Sequence, residues 1–436
     1  RGGAGAGGVR SGPVSTPTAV TDTSARMPRE PARCRLLVVE QGEGLWGAQR
    51  YLLRLAPLLR DRGVEQILAA PAGSATAEAW RAAGLLHVML PAPDDRGIRA
   101  PDGQFSPVGA VREFGRTAML ARRTAALVRL LDVDAVHANS HWSHLQCVLA
   151  GRLTNRPVVL HLHEENEPDL IGRLRGLAVR GAQASVAVSD AVAASLPPAA
   201  ARRTQVIRNG VDTDALRPGP ADPAVRAQLA ADPSAPVVLA LSRLDPRKGV
   251  DNVIRAVASL PGQFARAQLA VAGAPSLDPA HARTLRELGA SLLGVRIRFL
   301  GPRTDIAGLL RACDALVLAS SLEGLPLSVL EAQACGTPVV AFPTAGIPEI
   351  VTDGVTGLLA RAGDVDDLTR RLTDLLGNPG YAERISIAAR ANVLARHTLT
   401  QQADSQAELL RSLMVAQRPG GPARRSRVAV ATATRA

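Results

Sequence analysis

The sequence predicts an α/β protein made of two doubly wound, parallel-sheet domains that face each other across a cleft. Short apolar runs alternate with amphipathic helical patterns along most of the chain, which is typical of βαβ units. The 436 residues are too many for a single hydrophobic core. Polar or glycine-containing loops follow several apolar runs, where doubly wound sheets bind their ligands. Together these observations predict two Rossmann-like domains.

The composition restricts the classes of partner. The hydrophobic fraction is 46% but aromatic residues make up only 2%, so the cores must be built from Ala, Val and Leu. The formal net charge of +12 favours anionic partners such as nucleotide phosphates, anionic lipids or nucleic acid. Because aromatic residues are so few, a base-stacking surface for single-stranded nucleic acid is not expected.

Cellular location is suggested by the cysteines and by the apolar runs. The four cysteines are isolated in sequence, which predicts buried thiols in a reducing cytosol. No apolar run approaches the length of a membrane span, and the first 30 residues lack the features of a signal peptide. The sequence therefore predicts a cytoplasmic protein. Met27 is an alternative start of the chain.

Composition and motifs divide the chain into six segments. They are a disordered N-terminal tail at 1–33, a first domain at 34–210, a Pro- and Asp-rich linker at 211–235, a second domain at 236–385, a C-terminal helix at 386–415 that can return to the first domain, and a disordered basic tail at 416–436.

The first predicted strand, 35–40, leads into a glycine-containing loop and a helix at 48–60. The loop reads Gly42-x-Gly44-x-x-Gly47, the pattern of a dinucleotide-binding turn, so an NAD-dependent oxidoreductase is one hypothesis. The acidic residue expected after the second strand of such a unit is missing, since Glu65 precedes that strand. The glycine pattern alone is therefore weak support.

A long helix predicted over 106–131 carries several arginines. A basic amphipathic face of this kind can lie on an anionic membrane surface. A solvated face in an arginine-rich protein is the preferred interpretation. The arginines of this helix are Arg112, Arg116, Arg122, Arg123 and Arg129.

The strand that begins at Val158 ends in the polar sequence His161-Leu162-His163-Glu164. The two histidines point to the same face if the strand continues, so a metal site that includes Glu164 is conceivable. No further cluster of ligands at metal-binding spacing accompanies them, and hydrogen-bonded structural histidines are the simpler interpretation.

The second domain opens with a strand at 237–241 and a loop that contains Arg243 and Lys248, the only lysine in the chain. Loops in this position bind phosphates in doubly wound sheets. An arginine fork and a lysine point charge suit a diphosphate. Two surface cations are the alternative, but that alternative leaves the position of the single lysine unexplained.

Two glutamates follow the strand predicted at 315–319. Glu323 lies on the loop and Glu331 lies on the following helix, with seven residues between them. The N-terminus of that helix favours an anion. Spacing alone is weak support, since solvated glutamates at this separation are common.

The surroundings of these glutamates resemble the E-x7-E region of retaining glycosyltransferases of family 4, which have the GT-B fold. The resemblance covers about residues 35–411. The matching positions are Gly324, Pro326, Gly336, Thr337, Pro338, Gly346, Pro348 and Glu349.

This resemblance implies a nucleotide diphosphate sugar as donor, an unidentified acceptor, and no metal or other cofactor. It implies donor-phosphate contacts from Arg243, Lys248 and the Gly47 N–H group. It implies that His163 lies beside the reacting sugar and that Glu323 holds the sugar hydroxyls. The other implied contacts are the N–H groups of Leu325 and Leu327 to the sugar, Glu331 to the ribose, and the backbone of Arg303 to the nucleobase.

Other enzyme classes fit less well. Three D-x-D triplets, at 132–134, 212–214 and 364–366, do not follow apolar strands and are interpreted as structural. A glycosidase is disfavoured because both glutamates are expected in a nucleotide crevice. A nucleotide-sugar epimerase of the same fold is the nearest enzyme alternative.

A basic protein that binds a membrane surface or nucleic acid is the alternative from a different class. The preferred interpretation includes no nucleic-acid partner. It allows a peripheral position at the inner face of the membrane.

Overall fold

A computed structural model describes residues 34–42, 44–92, 106–166, 170–275 and 279–416. The N-terminal tail predicted for 1–33 and residues 417–436 of the predicted basic tail lie outside the described residues. Two parallel sheets, each flanked by helices, dominate the described part.

The first sheet contains seven parallel strands in the order β3-β2-β1-β4-β5-β6-β7. The central strand β1 reads CRLLVV and is buried from its second residue onwards, as a strand covered on both faces requires. The strands are β1 (Cys34–Val39), β2 (Val64–Ala70), β3 (His87–Met89), β4 (Ala135–Ala138), β5 (Val158–Leu162), β6 (Ala184–Ala187) and β7 (Thr204–Val206).

The second sheet contains six parallel strands in the order β10-β9-β8-β11-β12-β13. These strands are β8 (Val237–Leu241), β9 (Gln268–Ala272), β10 (Ile297–Gly301), β11 (Ala315–Leu318), β12 (Val339–Ala341) and β13 (Leu358–Leu359).

Sixteen α-helices connect or cover these strands within the described residues. They are α1 (Gly47–Asp61), α2 (Ala75–Ala82), α3 (Pro107–Leu130), α4 (His144–Thr154), α5 (Leu170–Gly181), α6 (Asp190–Ala194), α7 (Pro198–Ala201), α8 (Pro223–Leu229), α9 (Val250–Ala258), α10 (Pro279–Leu293), α11 (Ile306–Ala312), α12 (Leu327–Cys335), α13 (Ile347–Ile350), α14 (Val365–Leu376), α15 (Pro379–Arg396) and α16 (Leu399–Ala416).

Each sheet has one point at which the strand order reverses. In the first sheet the reversal lies between β1 and β4, and in the second between β8 and β11. Connections leave these strand pairs in opposite directions, so a crevice opens beyond their carboxyl ends, where doubly wound folds bind ligands. The strand order therefore predicts one binding crevice in each domain.

The segment predicted as a linker, 211–235, contains helix α8. Its N-cap is Asp222, whose side chain accepts from the Ala224 N–H at 2.8 Å, and Pro223 occupies the first turn, where its missing N–H costs nothing. Leu229 at the end of the helix is fully buried. The Pro- and Asp-rich composition here marks the start of a helix as well as a connection between domains.

The last helix, α16, returns to the first domain. It packs against α1, and its residues Ala403 and Ala407 are fully buried in one apolar cluster with Leu52 and Leu55 of α1. The two chain segments that pass between the domains also pair with each other, through a parallel bridge between Val211 and Thr398. The first domain is therefore completed by α16, a segment that follows the second domain in the chain.

Gly210 lies at this crossing. A Cβ atom on Gly210 would lie 2.3 Å from the Thr398 carbonyl oxygen, whereas a Cβ on Gly73, in a surface turn, would meet no atom within 4 Å. We expect Gly210→Ala to lower the free energy of unfolding by about 2 kcal/mol or more, because backbone must move. Gly73→Ala, the matched control, should change it by less than about 0.5 kcal/mol. Urea denaturation measures both, and equal effects would contradict the close packing of the crossing segments.

Candidate active site

The two crevices face each other and meet at a backbone contact. A Cβ atom on Gly324, in the loop after β11, would lie 1.9 Å from the His163 carbonyl oxygen, just after β5. Only glycine permits this approach. The Gly324 carbonyl in turn accepts from the Gly346 N–H at 3.0 Å. The loop between the two predicted glutamates therefore lies directly against the end of a first-domain strand.

Two helix N-termini also converge at this cleft. Gly47, the first residue of α1, faces Leu327, the first residue of α12, and a Cβ on Gly47 would lie 3.6 Å from the Leu327 Cδ1. The N-cap of α12 is Pro326, which provides no side-chain hydrogen bond to the first turn. N–H groups at a helix N-terminus, together with the helix dipole, favour an anion.

The second domain places cations beside these helix termini. The Lys248 Nζ lies 2.8 Å from the Glu323 Oε1, and both side chains are largely buried. Arg243 lies 3.8 Å from Asp245 and stacks over the Trp46 ring at 5.2 Å. Lys248, Glu323 and Arg243, which the sequence singles out, are therefore gathered around one space.

Glu331, on α12, pairs with a residue of the first domain. The Arg54 Nη1 on α1 lies 2.9 Å from the Glu331 Oε1, and the Glu331 side chain is 9% exposed. Nearby Leu325 is buried, and its carbonyl accepts from the Asn209 side-chain amide at 2.9 Å. Both contacts cross between the domains.

Arg303 lies at the same end of the second sheet, just after β10. Its guanidinium binds the Asp305 carboxylate, which raises the Arg303 pKa, while its carbonyl accepts from the Arg50 Nη1 at 3.4 Å. A cavity of about 290 Å³ lies at the ends of β9 and β10 and is lined by Gly273, Phe299 and Gly301, among others.

His163 belongs to a cluster of aromatic and polar groups at the carboxyl ends of β4 and β5. Its Nε2 lies 3.0 Å from the Asn139 Oδ1, and its ring stacks on His161 with centroids 4.3 Å apart. The His161 Nδ1 contacts the Tyr51 hydroxyl at 3.3 Å and the His137 Nε2 at 3.2 Å. Burial lowers the pKa of His163 to about 4 and of His137 to about 3, so both rings are neutral at pH 7.

Glu40 is the buried carboxylate of this region, at the carboxyl end of β1. Its Oε2 accepts from the Asn139 Nδ2 at 2.6 Å, and its Oε1 accepts from the N–H groups of Gln41 and Gly42. Burial raises its pKa, and the hydrogen bonds oppose that rise. The sequence prediction did not single out this residue, although its position at a strand end of the switch point could have indicated it.

Sequence reasoning also missed the first-domain side chains that reach the second domain. Arg50 and Arg54 occupy one face of α1 and contact Arg303 and Glu331. No local pattern marks these two arginines in a chain so rich in arginine. Only the packing of the domains reveals them.

The His161–His163–Glu164 metal hypothesis finds no cluster of ligands around it. Across residues 34–42, 44–92, 106–166, 170–275 and 279–416, no three His, Cys, Asp or Glu side chains gather as metal ligands would. The imidazole Nδ1 of His161 instead faces Tyr51 and His137. These histidines form a hydrogen-bonded polar cluster.

Two doubly wound domains whose switch points face one cleft define the GT-B class of protein. The family model described as "Glycosyltransferase Family 4" matches residues 46–215, and that described as "Glycosyl transferases group 1" matches residues 222–392. The two matches follow one another and together cover most of the chain. The chain belongs to glycosyltransferase family 4.

Relatives of known function cover part of the chain. The D-inositol 3-phosphate glycosyltransferase of Mycolicibacterium paratuberculosis is 38% identical over 215 residues, which are 48% of this chain and 46% of that protein. The enzyme of the same name from Mycobacterium marinum is 38% identical over 205 residues, 45% of this chain and 42% of that protein. The chain thus spans about half the length of the relatives it matches.

Solved structures match over nearly the whole chain. Anabaena Alr3699/HepE in complex with UDP and glucose superimposes with a TM-score of 0.73 and 25% identity, over 87% of this chain and 100% of that one. Sucrose-phosphate synthase from Thermosynechococcus elongatus gives a TM-score of 0.71 at 21% identity, over 88% and 100%, which shows the fold. The predicted GT-B fold is confirmed.

The buried histidines predict a loss of stability in mild acid. They are neutral in the folded protein, since their pKa values are lowered, but they take up protons in the unfolded chain near pH 6.5. Each such histidine should therefore reduce the free energy of unfolding by about 1.4 kcal/mol per pH unit below 6.5. We expect His137→Gln to remove one histidine's share of this slope. Urea denaturation between pH 6.5 and 5 measures it, and an unchanged slope in the variant would contradict a neutral His137.

Proposed function

We propose that the chain is a retaining, metal-independent glycosyltransferase, which moves a sugar from a nucleoside diphosphate sugar to an acceptor hydroxyl. The observation that carries this proposal is the convergence of three residues on one cleft. Lys248 and Glu323 lie 2.8 Å apart, and the next residue, Gly324, lies against the carbonyl of His163. A cation and a carboxylate of the second domain thus lie against the end of the first-domain strand that leads to His163.

The main barrier to glycosyl transfer is the separation of a cationic sugar from an anionic diphosphate. Groups that stabilise the charge of the departing phosphate therefore lower that barrier. Lys248 and Arg243 supply positive charge, and the N-termini of α1 and α12 supply N–H groups that point into the cleft. These groups support metal-independent catalysis because they neutralise the diphosphate with side chains and backbone alone.

The carboxylates suit binding of hydroxyl groups. Glu323 forms an ion pair with Lys248, so we propose that it accepts hydrogen bonds from the sugar hydroxyls. We assign no covalent nucleophile. The N–H groups of Leu325 and Leu327 would assist it. Glu331 would accept hydrogen bonds from the ribose hydroxyls once Arg54 moves aside. With no nucleophile on the protein, the leaving phosphate would take the acceptor's proton on the same face, which retains the anomeric configuration.

The solved structures suggest which donor to test first. HepE binds UDP and UDP-glucose in its crystal structures, so uridine nucleotides are the first candidates. The matched relatives act on D-inositol 3-phosphate, as their names state. A phosphorylated polyol is therefore the first acceptor to test, and a membrane-bound glycan is the second.

Loss of the single lysine should greatly weaken nucleotide binding. We expect UDP at one hundred times its dissociation constant to stabilise the protein by about 2.7 kcal/mol, and Lys248→Met to remove most of that gain because the diphosphate loses a buried cation. Arg266→Met, which removes an exposed arginine paired with Asp232, is the control for charge and should leave it unchanged. Thermal denaturation with UDP, GDP, ADP, TDP and NAD measures the effect.

The same preparation tests the chemistry. Transfer that continues in EDTA and yields a product with the anomeric configuration of the donor, read by NMR, supports the proposal. Stabilisation by NAD alone would refute it.

We further propose that the protein binds peripherally to anionic membranes through helix α3. Val108, Val111 and Phe114 are 62%, 73% and 74% exposed in the first half of this helix. They lie beside exposed arginines. The only acidic residue in the helix sequence is Glu113, which pairs with Arg116 at 3.8 Å. Exposed apolar side chains beside arginines suit a bilayer interface with anionic headgroups.

The position of α3 connects this surface to the cleft. In a parallel sheet, a connecting helix begins near the carboxyl ends of the strands, the edge at which the switch point opens. The apolar half of α3, from Val108 to Phe114, therefore lies at the cleft edge of the first domain. A bilayer bound there would bring a membrane acceptor close to the site. No helix among the described residues has the length and hydropathy of a membrane span.

Binding to vesicles should depend on this helix. We expect flotation with vesicles that contain phosphatidylglycerol, and at least tenfold weaker binding when Arg112, Arg122 and Arg123 are replaced by alanine, at about 1 kcal/mol for each charge lost. Removal of Arg255, Arg266 and Arg283 from the second domain removes the same charge and should have little effect. Equal losses in both triple variants would show nonspecific attraction, and unchanged binding in both would exclude α3 as the binding surface.

A further inference from the structure

We propose that Glu40 and Asn139 are positioning residues that fix the neutral tautomer of His163, with the proton on Nε2 and the lone pair on Nδ1. This inference rests on the proposed function, since it assigns a purpose to the His163 contact with the donor sugar. The three side chains form one continuous hydrogen-bonded chain, Glu40–Asn139–His163, with distances of 2.6 Å and 3.0 Å.

Glu40 sets the direction of this chain because donors surround it. The N–H groups of Gln41 and Gly42 lie 2.8 and 2.7 Å from its Oε1, and the Gln49 side chain also hydrogen-bonds to it. Backbone N–H groups can only donate. The carboxylate is fully buried, and burial raises its pKa, but these donors oppose that rise; we infer that it is ionised. It therefore acts as an acceptor toward Asn139 as well.

The orientation of the Asn139 amide follows. Only its NH2 group can satisfy a carboxylate oxygen, so Nδ2 faces Glu40 and Oδ1 faces His163. Asn139 is fully buried and cannot turn to solvent. Its Oδ1 can only accept, so the His163 Nε2 must carry the proton. Because the ring is neutral at pH 7, its Nδ1 is left as an acceptor for a hydroxyl group.

The same carboxylate connects this chain to the start of α1. Gln49, which contacts Glu40, also accepts from the Trp46 N–H at 3.1 Å. Trp46 precedes Gly47, whose N–H is proposed to contact the donor phosphate. Glu40 thus holds the imidazole on one side and the phosphate-binding turn on the other. One buried charge fixes the relative position of two parts of the site.

The isosteric substitution Glu40→Gln should reverse the direction of the hydrogen bonds that connect residue 40, Asn139 and His163. The new amide keeps its oxygen toward Gln41 and Gly42 and presents its NH2 group to Asn139, which must then turn its own oxygen toward that group. The Asn139 NH2 group then faces His163, so the imidazole proton moves from Nε2 to Nδ1. We expect ¹⁵N NMR of histidine-labelled protein at pH 7 to show the two ring nitrogens of His163 exchanging their protonated and unprotonated shifts. A His163→Asn variant identifies these resonances.

A compensating substitution provides the rescue. Adding Asn139→Asp to Glu40→Gln returns an acceptor that can receive a hydrogen bond from each neighbour, and it should restore the original tautomer. In transfer assays, kcat should fall about tenfold to a hundredfold in Glu40→Gln, in the range typical of groups that orient a binding residue. It should recover most of that loss in the double variant, with the donor KM little changed.

The NMR measurement separates this proposal from the proposed function. An unchanged His163 tautomer in folded Glu40→Gln overturns the proposal even if sugar transfer is demonstrated. The expected exchange of shifts supports it even if no donor is found. A fall in kcat that the double variant does not rescue, with the tautomer restored, would contradict a role for Glu40 and Asn139 in transfer through the tautomer of His163.

Discussion

The constraint on which the site depends is the close backbone approach of the two domains. Gly324 lies against the carbonyl of His163, and Gly346 lies against the carbonyl of Gly324, with hypothetical Cβ distances of 1.9 and 2.3 Å. Any side chain at either position would push the E-x7-E loop away from the first sheet. Glu349 reinforces the contact, since its carboxylate accepts from the N–H groups of Asp190 and Ala191 in the first domain. Two glycines and the Glu349 carboxylate therefore fix the site residues of one domain relative to those of the other.

Carboxylates can be buried between two domains only if their charges are neutralised. Glu323 and Glu331 are each paired with a cation, Lys248 and Arg54, at 2.8 and 2.9 Å. A partly buried carboxylate without its partner would carry a large desolvation cost. In the proposed function, the phosphates of the donor attract Lys248, and the hydroxyl groups of the sugar replace Lys248 as hydrogen-bond donors to Glu323. The two ion pairs of the cleft are thus compatible with exchange for a polar, anionic ligand.

The sequence predicted the fold because its main features are local. Apolar runs mark the buried parallel strands. The loop residues Arg243 after β8 and Glu323 after β11 are distinctive in type and spacing. What it could not predict are contacts made between domains. Arg54 is separated from Glu331 by 277 positions, and nothing nearby distinguishes it from other arginines. Helix α8 was hidden within a Pro- and Asp-rich run, because Asp222 and Pro223 suit a helix start as well as a linker.

The two buried glutamates at the switch points show how environment divides similar groups between roles. Burial raises the pKa of Glu40, and the neutral donors around it oppose that rise, so hydrogen bonds that no ligand needs to displace stabilise its charged form. Glu323 is held by a single lysine, which a phosphate can attract away. The first arrangement suits a permanent support that orients Asn139, and the second suits a group that changes partner when the donor binds. Both follow strands at the point where the sheet order reverses, so the same topological position provides a fixed carboxylate in one domain and an exchangeable one in the other.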